Sequence, residues 1–163
     1  GKAVLVNPEN LLISAKTPSK FAELYRTVIC TPVIGTFLYN IMVNKKAIEK
    51  DFRLDYYYDQ NKITEKDIMY FYEASQKHHT KGKYLYANIN SGFTNTNIIH
   101  GLRNITQPIY IFTGKENPEN ILAANQYQNY LPDTHIVELE KTKRFPHMER
   151  PEYFIDNLES LYL

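Results

Sequence analysis

Two kinds of hydrophobic pattern run along this chain. Ala3 to Val6 is a short, continuous apolar run stopped by Asn7 and Pro8, the pattern of a strand buried on both faces of a parallel sheet. Ile109 to Thr113 and His135 to Leu139 repeat that character. Between these two, Ala123, Tyr127, Tyr130 and Leu131 recur at helical spacing. After the last, Phe154, Ile155, Leu158, Leu161 and Tyr162 fall on one helical face, with Pro151 suited to a first turn. The C-terminal part therefore reads strand, helix, strand, helix, the signature of a parallel sheet covered by helices.

The middle of the chain carries no such strand. Phe21 to Cys30, Gly35 to Val43 and Ala47 to Leu54 are helix candidates. Thr64-Glu65-Lys66-Asp67 has the pattern of a capping box, flanked by Ile63 and Ile68 at the spacing of a hydrophobic staple. Gly82, Ser91-Gly92 and a Thr/Asn cluster at 94–97 punctuate the rest. A helical block between the strands of a parallel sheet reads as a lid. The expected organisation is a core strand within 1–15, a helical cap over 16–103 and a C-terminal α/β core segment over 104–163.

Composition narrows the function classes. With 163 residues, 43% of them hydrophobic, the chain is one domain long and too apolar for disorder. Nineteen basic against eighteen acidic side chains leave a net charge of +1, which argues against a nucleic-acid binder with its basic stripe. Cys30 is the only cysteine, so no internal disulfide is possible; this fits a reducing, cytoplasmic compartment. The longest apolar-rich stretch, Val28 to Val43, is interrupted by Pro32, Gly35 and Asn40 and is too short to span a bilayer. A strand at the very first residues suggests a chain that begins mid-domain.

The glycines are too scattered to cradle a phosphate, and no nucleotide fingerprint occurs, so no cofactor is expected. His78 and His79 are adjacent and point about 100° apart on a helix, and no cysteine stands at zinc-ligand spacing; no metal site is expected. His100 and His135 read as structural. His147 differs by its position. It follows the third strand by a short loop, Glu140 to Pro146, and precedes the final helix. Groups that contact ligands in open α/β sheets lie beyond the carboxyl ends of the strands. The loop after the second strand leaves on the same edge and carries Glu116 and Asn117.

The stretch from Leu102 and Ile105 through Pro108-Ile-Tyr-Ile-Phe-Thr-Gly114, then Leu131-Pro132, then Pro146-His147-Met-Glu149-Arg-Pro151-Glu152-Tyr-Phe154, resembles the C-terminal third of an α/β-hydrolase. The opening Ala3-Val-Leu-Val-Asn-Pro8 resembles the strand just after the family's nucleophile-bearing helix, and the helical middle falls where the family inserts its cap. The resemblance implies the last three parallel strands of that sheet, with flanking helices and an inserted helical cap, in a fold that is incomplete.

By the same resemblance His147 is the general base of a nucleophile–His–acid triad acting on a small ester- or amide-like substrate. The family expects Asp where this sequence has Asn117. Asn117, Glu116 or Glu9 is left to orient the imidazole. Phe37, Leu38, Met42 and Tyr57 of the cap are candidates to line the substrate pocket. None of Ser14, Ser19, Ser75, Ser91 and Ser160 lies in a Gly-x-Ser-x-Gly elbow, and Cys30 reads as packing, so the nucleophile lies upstream and the chain alone is expected to be inactive. Its implied partners are a small-molecule substrate and either the missing N-terminal half or a second copy joined at the Ala3–Val6 edge. The alternative is a non-catalytic binding or interaction module with a degenerate triad, which Asn117 favours.

Overall fold

The computed structural model describes residues 1–77 and 81–161; the expectations for His78, His79 and Tyr162 lie outside them. Three strands, β1 (Ala3–Val6), β2 (Ile109–Gly114) and β3 (Thr134–Leu139), form one parallel sheet in that order. Ala3 pairs with Ile109 and Val6 with Phe112, while Ile109 through Gly114 pair with Thr134 through Leu139. All three carboxyl ends therefore lie on one edge. The central strand is buried nearly throughout, as its apolar run demands. β1 departs from the two-faced burial expected of it. Val4 and Leu5 are half-buried and Ala3 and Val6 exposed, because among the described residues β1 has a partner strand on one side only.

The helix α8 (Pro118–Tyr130) joins β2 to β3. Pro118 occupies its first turn, and the Asn117 side chain caps it by accepting from the Glu119 amide at 3.0 Å. Its inner face (Ala124 and Tyr127) meets Leu11, Leu102, Ile109, Ile111 and Leu131 in the main core. After β3 come the short α9 (Pro146–Glu149) and α10 (Pro151–Glu159). Phe154 turns inward, 5.2 Å from the Phe112 ring. Ile155 is 48% exposed, so the apolar face of α10 is narrower than its spacing suggests.

Between β1 and β2 run α1 (Leu11–Ser14), α2 (Lys20–Cys30), α3 (Ile34–Met42), α4 (Lys45–Asp51), α5 (Glu65–Gln76), α6 (Gly82–Asn90) and α7 (Ile99–Leu102). The capping box forms: the Thr64 hydroxyl accepts from the Asp67 amide at 3.1 Å, and the Asp67 carboxylate accepts from the Thr64 amide at 3.3 Å. α4 does not continue to Leu54 as a regular helix. It passes into one π turn, Phe52–Tyr56, closed by the Tyr57 amide donating to the Phe52 carbonyl at 3.0 Å. Phe52 is the centre of this block, within 5.5 Å of the Tyr56, Tyr57 and Phe71 rings.

Gly35 lets α3 turn back against α2, since a Cβ there would collide with the Ile29 carbonyl. The buried Lys83 on α6 reaches this corner, donating to the Thr31 carbonyl at 2.7 Å and to the Thr36 hydroxyl at 2.9 Å. Its cation thereby meets the end of α2, where carbonyls lack helical partners. Among the described residues no helix is long and apolar enough to cross a membrane.

Candidate functional site

The three strand ends are tied together by one asparagine. Asn7 ends β1 in the left-handed region at φ 42°, a conformation that Asn tolerates better than most side chains. Its Oδ1 accepts from the Gly114 amide at 3.1 Å, at the end of β2. Its Nδ2 donates to the Lys143 carbonyl at 3.1 Å and the Arg144 carbonyl at 2.8 Å, in the loop after β3. Gly114 permits this approach, because a Cβ there would collide with the Lys143 carbonyl.

A second residue grips the same loop from the opposite side. Glu149 is only 1% exposed. Its carboxylate accepts from the Lys143 amide at 2.6 Å and from the Tyr58 amide at 2.7 Å, which lies beyond the π turn. Burial raises its pKa above the usual carboxylate range, against the opposing pull of the Lys143, Tyr58 and Asp59 backbone and the Lys62 charge. The helical block supplies two more ties: the Arg144 amide donates to the Tyr56 carbonyl at 3.1 Å and the Lys143 ammonium to the Leu54 carbonyl at 2.6 Å.

His147 follows directly, on α9 at the carboxyl edge of the sheet. Its ring sits 6.0 Å from those of Phe145 and Phe154, edge-on to both. Desolvation there lowers its pKa below the ordinary histidine value, which favours the neutral imidazole that a general base needs at neutral pH. Among the described residues no hydrogen bond joins His147 to Asn117, Glu116 or Glu9. Asn117 Oδ1 serves the cap of α8. Glu116 accepts from the Lys141 amide at 3.4 Å. Glu9 lines a cleft of about 250 Å³ with Asn7, Asn10, Glu119, Asn120 and Arg144.

The four pocket candidates of the helical block separate. Met42 lines a cavity of about 240 Å³ with Ala47, Ile48, Tyr56, Phe71 and Tyr86. Tyr56 connects that cavity to the histidine loop through its ring contact with Phe145 at 4.9 Å. Tyr57 is instead core, stacked on Phe52 at 5.5 Å, with a pKa pushed up to about 12 chiefly by burial. Leu38 is half-buried, and Phe37 is 65% exposed. Sequence reasoning saw Asn7 as the residue that stops the first strand, with no role in holding the histidine loop, and gave Glu149 no role beyond a family motif. The sole early signal for either was a polar residue ending an apolar strand and a carboxylate close to His147. No cluster of three or more His, Cys, Asp or Glu side chains that could hold a metal occurs among the described residues.

No protein-family model and no curated protein matches this sequence. Solved structures do. The Cif epoxide hydrolase from Acinetobacter nosocomialis superposes with a TM-score of 0.70 at 12% identity, covering 99% of this chain and 53% of that one. A probable hydrolytic enzyme from Pseudomonas aeruginosa PAO1 gives 0.69 at 14% identity, covering 98% and 54%. A serine hydrolase from Cycloclasticus zankles gives 0.65 at 16% identity, covering 99% and 54%. This chain has the fold of the C-terminal part of an α/β-hydrolase, and it spans about half the length of these structures.

Proposed function

We propose that this chain is the cap and acid–base end of an α/β-hydrolase that acts on a small ester- or amide-like substrate, with His147 as the general base. One observation carries the reading: a neutral-leaning imidazole stands on α9, just after the loop that follows β3, at the sheet edge where open α/β folds place their reactive groups. The imidazole takes the proton of a nucleophile supplied by the remainder of the fold as that nucleophile attacks the acyl carbon. It then delivers the proton to the departing alcohol or amine, and a water molecule repeats the exchange to release the acid. To orient the ring, Asn117 would give up its cap on α8, or Glu116 its bond from the Lys141 amide. The residues over 16–103 act as the cap, with Met42 on the wall of its cavity. The free edge of β1 receives the rest of the sheet, or a second copy of the chain. A cytoplasmic setting suits the single thiol.

A second reading is a binding module without catalysis. Asn117 in the place of the acid favours it, together with the absence of a hydrogen-bonding partner for His147 among the described residues. The test is hydrolysis of p-nitrophenyl acetate by the protein carrying the complete fold. His147→Ala is expected to lower turnover by about 10²- to 10⁴-fold. Undiminished turnover in a folded variant removes His147 from the chemistry and favours the binding module.

A further inference from the structure

We propose that Asn7 is the positioning residue of His147, acting through the loop rather than on the ring; this rests on the reading of His147 as the base. All of the bonds described for the Asn7 amide serve one junction. Its oxygen holds the end of β2 at Gly114, and its nitrogen holds two successive carbonyls, Lys143 and Arg144. Only Phe145 and the fully buried Pro146 separate that grip from His147. Pro146 opens α9 with a fixed φ, so the Arg144 carbonyl and the proline ring together set the direction from which the imidazole leaves the backbone. A carboxylate could not replace this amide. Ionised, it accepts only, and it would face two carbonyl oxygens at the distances where Nδ2 now donates.

Asn7 stands at the tail of the first strand, 136 residues away from Lys143 in sequence. It thus makes the place of the histidine depend on the register of β1 within the sheet. Whatever extends the sheet beyond β1 would be coupled to the imidazole through this side chain.

The test compares Asn7→Gly and Asn7→Asp with Asn95→Ala. Glycine keeps the left-handed backbone and deletes the grip; aspartate keeps the shape and removes the donors. Asn95 also donates to two carbonyls, Ile13 at 3.1 Å and Lys16 at 3.2 Å, neither of them in the histidine loop. The readouts are the His147 ring-proton resonances and the exchange rates of amides 143–149. Both Asn7 variants are expected to shift the ring signals and to speed exchange in that segment by about 5- to 30-fold. The α5 amides are expected to keep their rates. If Asn7→Asp does not fold, Asn7→Gly decides alone. Unmoved ring signals, or the same pattern in Asn95→Ala, overturn the proposal. Neither readout uses turnover, so an active His147→Ala enzyme would end the hydrolase reading and leave this result to be judged separately.

Discussion

Removing the Glu149 carboxylate has a cost that can be worked out from its two backbone partners. Glu149→Gln keeps one oxygen for the Lys143 or the Tyr58 amide and turns an NH₂ group toward the other. One partly buried donor is then unpaired, which costs about 1–3 kcal/mol. Glu149→Ala strands both donors; relief of the burial cost of the carboxylate offsets part, leaving a loss of about 2–5 kcal/mol. For a protein of this size each kcal/mol moves the melting temperature by about 2–4 °C. Urea titration followed by circular dichroism measures both variants.

The sign with pH follows from the raised pKa. The folded protein holds the Glu149 proton more tightly than the unfolded chain, so this group favours folding most below its unfolded value of 4.5. That contribution is lost as pH rises from 4.5 through the raised folded value. Glu149→Gln should therefore flatten the stability profile across that window. A Gln variant within about 0.5 kcal/mol of the parent, or with an unchanged profile, refutes the view that these two hydrogen bonds hold the loop.

Two further outcomes are expected. The ring protons of His147 should titrate below 6.5, because partial desolvation lowers its folded pKa although the residue stays exposed; its contribution to stability is then full above 6.5 and lost as pH falls through the lowered value. A midpoint at or above 6.5 would show that the phenylalanines do not desolvate it. Asn117→Ala should cost about 1 kcal/mol through loss of the α8 cap, while Asn117→Asp keeps it; equal losses in the two variants would show that the side chain does not cap.

Much of the architecture was legible because local pattern and global fold agree. β2 and β3 announce themselves as apolar runs, and Thr64 with Asp67 marks the start of α5 within a single turn of sequence. α6 was not legible, since it begins at Gly82 without a capping side chain and is held by Lys83 reaching across to α2 and α3. The π turn was hidden for the same reason: Phe52 and Tyr57 look like ordinary helical aromatics. At the site, His147 could be found from its place after a strand. Asn7 and Glu149 could not: Lys143 lies 136 residues from Asn7 and Tyr58 91 from Glu149, separations no pattern spans, and the nearer partner of Glu149 is a backbone amide, which leaves no mark in the sequence.

The widened turn at Phe52–Tyr56 makes chain length there a fixed quantity. Deleting a single residue would restore regular helical winding and swing everything downstream by about 100° around the axis. The Leu54 and Tyr56 carbonyls would no longer face Lys143 and Arg144, and the Tyr58 amide would leave Glu149. Substitutions can be absorbed along much of this segment, whereas a one-codon deletion would uncouple the two layers of the molecule at a stroke.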